Sequence, residues 1–132
     1  MMTPEQKLKW LIINDAAEWN DQPIPEVDET NVDELYRQIV EKDEHWDSKE
    51  EVRCSGTETG IPNRYSSIAL ESCEVAAQMP DDTWVGWTYW SGGKHTNPEE
   101  IPWMENAYDV TVVESQVMKT VRTFSVKQGG EK

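Results

Sequence analysis

Thr83-Trp84-Val85-Gly86-Trp87-Thr88-Tyr89-Trp90-Ser91-Gly92-Gly93-Lys94-His95 is the stretch that most narrows what this chain can fold into. Successive side chains of an extended strand point to opposite faces, so Trp84, Gly86, Thr88 and Trp90 share one face while Val85, Trp87 and Tyr89 share the other. A segment with aromatics on both sides must be covered on both sides or use one of them for contact. Gly86 between Trp84 and Trp90 marks a bulge or a place where another group comes close. At least one of Trp84, Trp87 and Trp90 is expected in the core and one on an exposed patch.

The elements around this strand follow from local chemistry. Thr3-Pro4-Glu5-Gln6 reads as a capped helix start, and Leu8, Leu11, Ile12 and Trp19 recur at helical spacing, which predicts a helix from Pro4 to Trp19. Asn20-Asp21-Gln22-Pro23-Ile24-Pro25 ends it. A second capping box at Asn31-Val32-Asp33-Glu34 opens a helix from Val32 to about Lys42. The charged sequel through His45, Trp46 and Asp47 reads as a solvated face.

From Ser55 to Asn63 the residues are those of turns, and a loop is expected. The period then changes to two: Ile68 and Leu70 alternate, then Val75, Ala77 and Met79, and Pro80-Asp81-Asp82 turns into the tryptophan strand. Pro98 to Asn106 suits one or two helical turns. Strands are expected at 108–113 and 117–126. Helices first and strands afterwards predict an α+β domain: an antiparallel sheet of about four strands with two N-terminal helices packed on one face. The 132 residues fit a single domain. It has an acidic helical part at 1–50, a sheet part at 64–126 with the short helical turn near 98–106, and a loose tail at 127–132.

Charge limits the partners. Twenty-six acids against twelve bases give a formal charge of -14, which repels phosphate backbones and anionic lipid; direct nucleic-acid binding and membrane association are not expected. Residues 1–50 hold 14 acids and 5 bases. A basic protein surface, such as one that normally grips DNA, would be steered toward that half. The opening residues show no signal peptide, and Cys54 and Cys73 read as reduced thiols, so a cytoplasmic setting is expected.

Few residues invite catalysis. His45, Cys54, Cys73 and His95 are the soft metal ligands, yet neither cysteine has a partner two to four positions away, and small buried thiols are the simpler reading. No metal and no cofactor are expected. The glycine loop lacks the strand-to-helix pattern of a phosphate-binding loop, although its N–H groups and Lys94 can receive an anion or a partner's carboxylate. Tryptophan and tyrosine supply much of the energy at interfaces, which makes Trp84, Trp87, Tyr89, Trp90, Gly92, Gly93, Lys94 and His95 the candidate binding residues.

Trp84 to Trp90, Gly92-Gly93-Lys94-His95, Pro98-Glu99, Trp103-Met104, Ala107-Tyr108-Asp109 and Thr120-Val121-Arg122-Thr123-Phe124 together resemble a family of small proteins carried by phages and prophages. The likeness extends upstream through Ser55 to Gly60 and Tyr65-Ser66. The family often has a third glycine before Lys-His, and this chain has two. No activity is established for that family, so the resemblance carries over no catalytic residue; it implies an accessory protein in a bacterial cytoplasm. Three functions are consistent with these residues. The leading one is a non-enzymatic protein that binds a host protein with a basic surface, anchored by Trp87, Trp90 and the Gly92–His95 loop. The second is a binder of a nucleotide-like small molecule at the same strand and loop. The third is a small hydrolase using His95 with Glu58 or Glu99.

Overall fold

Thr3 begins the first helix as its residue type demands: its hydroxyl accepts from the Gln6 backbone N–H at 3.2 Å, and the Gln6 side chain accepts from the Thr3 N–H at 2.9 Å. With Pro4 in the first turn, the two orphan donors are satisfied reciprocally. This helix, α1, spans Pro4–Trp19 in the computed structural model, which describes residues 1–67, 69–93, 97–114, 122 and 124. Helix α2 spans Val32–Glu41 and α3 spans Trp46–Cys54. The strands are β1 (Thr57–Glu58), β2 (Glu71–Gln78), β3 (Trp84–Ser91) and β4 (Tyr108–Val110), and Pro98–Glu100 forms a single 3₁₀ turn.

The four strands lie in the order β1-β2-β3-β4, every pair antiparallel. Between β2 and β3, Val75 faces Trp87 and Ala76 faces Gly86. The turn between them closes with the Met79 N–H on the Thr83 carbonyl at 2.7 Å. Asp82 takes φ 71°, a left-handed conformation that aspartate tolerates better than most residues. The α+β arrangement expected from the chain's order is therefore present, with helices preceding the sheet.

One face of the sheet meets the helices. Leu8 and Ile12 of α1, Val52 of α3, Val75, Met79, Val85, Trp87, Trp103 and Met104 form one buried cluster. Helix α1 is the element laid against β3 and β4, and α2 and α3 pack on its flanks. A buried lysine fastens it: Lys7 Nζ reaches Asp109 Oδ1 of the β4 strand at 2.8 Å. At the start of α2, Asp33 accepts from Gln6 and Lys9 of α1 at 3.1 and 3.0 Å, and Lys9, then Gln6, hold its carboxyl below the usual range.

The opposite face is covered by the segment after β1. Glu74, buried in mid-sheet, accepts from Thr88 Oγ1, from the Tyr108 hydroxyl at 2.7 Å and from the Arg64 backbone N–H at 3.2 Å. The Arg64 guanidinium lies 4.5 Å from the Tyr108 ring centre. Three donors converge on this carboxylate, which is how a buried acid is accommodated without a facing cation.

Several local expectations are corrected. Three helices precede the sheet rather than two, because the charged run at His45–Asp47 opens α3. The capping box at Asn31 does not form: its side chain instead accepts from the Asp28 N–H at 2.8 Å and donates to the Glu26 carbonyl at 2.9 Å, so it organises the preceding loop. The Ser55–Asn63 loop contributes a short edge strand at Thr57–Glu58. Only Pro98–Glu100 is helical within 98–106, and the strand expected at 108–113 ends at Val110. Cys54 is exposed, not buried, and Cys73 is half-buried on the core side of β2; both are free thiols. The tail at 127–132, Ile68 and, apart from residues 122 and 124, the strand expected at 117–126 lie outside the described residues.

Candidate partner-binding face

The tryptophan strand divides its aromatics as its alternation predicts, but it spends them on the interior. Trp87 is 0% exposed; its Nε1 donates to the Arg53 carbonyl at 3.1 Å, and its ring packs on Trp103 with centroids 5.7 Å apart. Trp90, on the other face, is also buried, and its carbonyl accepts from Arg53 Nη1 at 2.9 Å. Neither ring offers a surface to a partner, which corrects their expected role as anchors. Tyr89 is half-buried under the Arg53 guanidinium, 4.9 Å from its ring centre. Trp84 is half-buried at the far end of β3, opposite Val110, and does not join the loop. Gly92 and Gly93 take φ 84° and 83°, the left-handed conformation that favours glycine, and among the described residues nothing lies within 4 Å of where a Cβ on Gly92 would sit. Lys94 and His95 lie outside the described residues.

The exposed tryptophans stand elsewhere. Trp19, the last residue of α1, is 65% exposed, and Trp46, the first residue of α3, is 64% exposed. Trp19 falls where α1 has run past its buried Ala16 and ends in the Asn20 cap, whose side chain returns to the Ala16 carbonyl at 2.8 Å. Trp46 is presented by a sharp exit from α2: Asp43 takes φ 61°, and the Glu44 N–H closes on the Ile39 carbonyl at 3.0 Å. Beneath it lies His45, buried, with ring centroids 4.4 Å apart.

Both indoles are held by acids. Trp19 Nε1 donates to Glu51 Oε2 at 2.7 Å, and Trp46 Nε1 donates to Asp43 Oδ1 at 2.8 Å. Fixing the N–H leaves the broad ring outward, the amphipathic posture of interfacial tryptophans. The two rings line one shallow concavity of about 350 Å³ together with Asn20, Asp43, Glu44, Asp47 and Ser48. Among the described residues, none of Asp43, Glu44, Asp47 and Glu51 forms an ion pair. Behind them Asp15 is held above the usual aspartate range, first by burial and then by the charges of Glu51 and Glu18, against an opposing contribution from Ser48. Burial holds the His45 imidazole below its ordinary value, with Lys49 adding to the effect and Asp43 opposing it.

This face therefore combines two outward aromatic surfaces with uncompensated negative charge. Cationic side chains are attracted to both. The sequence carried a signal for it that periodicity obscured: Trp46 is a large apolar residue inside a run of charges, and Trp19 directly precedes a helix break. Among the described residues, no group of three or more His, Cys, Asp and Glu side chains is arranged to hold a metal ion, and no helix is long and apolar enough to cross a membrane.

Comparison with known proteins finds no match: no family model, no curated protein and no solved structure corresponds to this chain.

Proposed function

We propose that this chain is a non-enzymatic binding protein whose acidic, tryptophan-bearing face engages a host protein through a basic surface, such as one that otherwise grips nucleic acid. The observation that carries the reading is the pairing of Trp19 and Trp46, each about two-thirds exposed, in one concavity ringed by acids. Tryptophans in contact surfaces bury on the order of 150–250 Å² each and dominate binding energy, while the surrounding carboxylates speed encounter and select the partner. The charge of -14 acts in the same direction. The resemblance of the tryptophan strand to phage and prophage proteins supplies the bacterial cytoplasm as the setting. It is the helices, not the strand, that supply the anchors in this reading.

A pull-down from bacterial lysate tests it, with the unaltered chain, the Trp19→Ala/Trp46→Ala double variant and a range of salt concentrations. Discrete partners held at low salt, released at high salt and absent from the double variant are expected. Recovery of the same proteins by the double variant would refute the assignment of the anchors.

A further inference from the structure

Trp46 also borders a second, deeper concavity. A cleft of about 470 Å³ opens between α3 and the 3₁₀ turn with the segment that follows it, with Trp46 and Lys49 on one wall and Glu99, Glu100 and Glu105 on the other. Glu50 belongs to the same lining, but its carboxylate is taken by Arg53 Nε at 3.0 Å. Glu99, Glu100 and Glu105 form no ion pair among the described residues, so Lys49 faces an excess of negative charge.

The residue beneath the cleft is independently informative. Trp103 lines it, is 2% exposed, and its Nε1 has no acceptor among the described residues. Buried indole N–H groups ordinarily find one. The Nε1 atom itself is covered, so an acceptor brought from outside, such as the peptide carbonyl that accompanies every side chain of a partner polypeptide, reaches it only as the floor of the cleft gives way.

We infer that this cleft seats an arginine-bearing segment of the partner, with the guanidinium against Trp46 and the Glu99–Glu105 carboxylates and a neighbouring peptide carbonyl on Trp103 Nε1. The inference rests on the partner-binding reading above and names the chemistry that the reading leaves general. Arginine suits the site better than lysine because its planar, weakly hydrated cation stacks on an indole and pairs with carboxylates in a fork. The cleft and the shallower concavity share Trp46, so one extended segment can occupy both.

The seven indole N–H groups provide a direct readout by ¹H–¹⁵N NMR of the full chain, titrated with the blocked peptide Gly-Arg-Gly-Arg-Gly and with its citrulline counterpart, which keeps the shape and loses the charge. Saturable shifts of Trp46 and Trp103 are expected with the arginine peptide, with the Trp103 proton moving downfield as it gains an acceptor, and little movement with citrulline. The exposed double variant Glu99→Gln/Glu100→Gln should weaken the effect about threefold to tenfold, the scale of two solvent-accessible ion pairs. Shifts confined to Trp19 and Trp46 would overturn the cleft assignment while leaving the partner-binding face standing. An immobile Trp103, equal response to citrulline, or Trp103 shifts that depend on protein concentration alone, as a second copy in the cleft would give, would overturn it as well.

Discussion

Trp87 and Arg53 hold each other across the junction between the sheet and α3: the indole N–H donates to the Arg53 carbonyl at 3.1 Å, while the arginine side chain returns to the same strand at the Trp90 carbonyl, 2.9 Å away. Both bonds are buried. Replacing Trp87 by Phe keeps an aromatic ring in the core but leaves the Arg53 carbonyl without its donor and opens space beside Trp103. A loss of about 2–4 kcal/mol is expected in urea unfolding, from the orphaned acceptor and the cavity together. A change below about 0.5 kcal/mol would mean that the junction contributes little.

Gly86 of β3 is covered by the side chains of Tyr108 and Val110 of β4. A Cβ there would lie 2.7 Å from both Tyr108 Cε2 and Val110 Cγ2, well inside contact distance. Gly86→Ala should destabilise by about 1–3 kcal/mol through forced displacement of the edge strand. The same chemical-denaturation assay checks it, and an unchanged midpoint would show that β4 moves aside freely.

The Tyr108 phenol is held well above its ordinary ionisation range, first by burial and then by its hydrogen bond to Glu74. A group whose native pKa is raised contributes stability that is complete below its unfolded value and is lost as pH climbs beyond it. Alkaline destabilisation should therefore set in above about pH 10, the unfolded tyrosine value, and be reduced in Tyr108→Phe. That variant should also cost about 1.5–3 kcal/mol at neutral pH, because a buried carboxylate loses one of its donors. Ultraviolet titration of the phenols against stability measured at each pH would decide both points.

His45 has the opposite sign. Its native pKa is depressed by burial, so the unfolded chain binds the proton more readily. Its contribution to stability is present above about pH 6.5, the unfolded histidine value, and is lost as pH falls through the lower native value. Because His45 lies under the exposed ring of Trp46, the loss should be accompanied by a change in Trp46 fluorescence. Comparing unfolding midpoints at pH 7.5 and 5 with those of His45→Gln isolates this contribution from the many carboxylates; parallel profiles would contradict it.

Much of the fold was legible because neighbouring residues decide it. The capping box at Thr3 forms from two side chains three positions apart, and the strand alternation of Val85, Trp87 and Tyr89 against Trp84, Gly86, Thr88 and Trp90 is a property of extended backbone. The suspicion that Gly86 admits a close neighbour was right for the same reason. Asn31 shows where local chemistry is ambiguous: the same side chain can cap a helix or tie down the loop before it, and here the loop wins. The third helix was hidden because its nine residues expose charge on most sides and its apolar contribution to the core is Val52.

The sequence by itself determined the class of the domain, the antiparallel hairpin and its two faces, and the excess of negative charge, since these depend on spacing, turn chemistry and composition. Only the tertiary structure decided which tryptophans meet solvent. Burial is a property of what packs opposite a side chain, and no residue near Trp87 announces that Arg53 and Trp103 enclose it. Nor does the sequence state that the end of α1 reaches α3, where Trp19 donates to Glu51 and shares a concavity with Trp46. The candidate face exists because two helix ends, 27 positions apart in the chain, arrive beside each other.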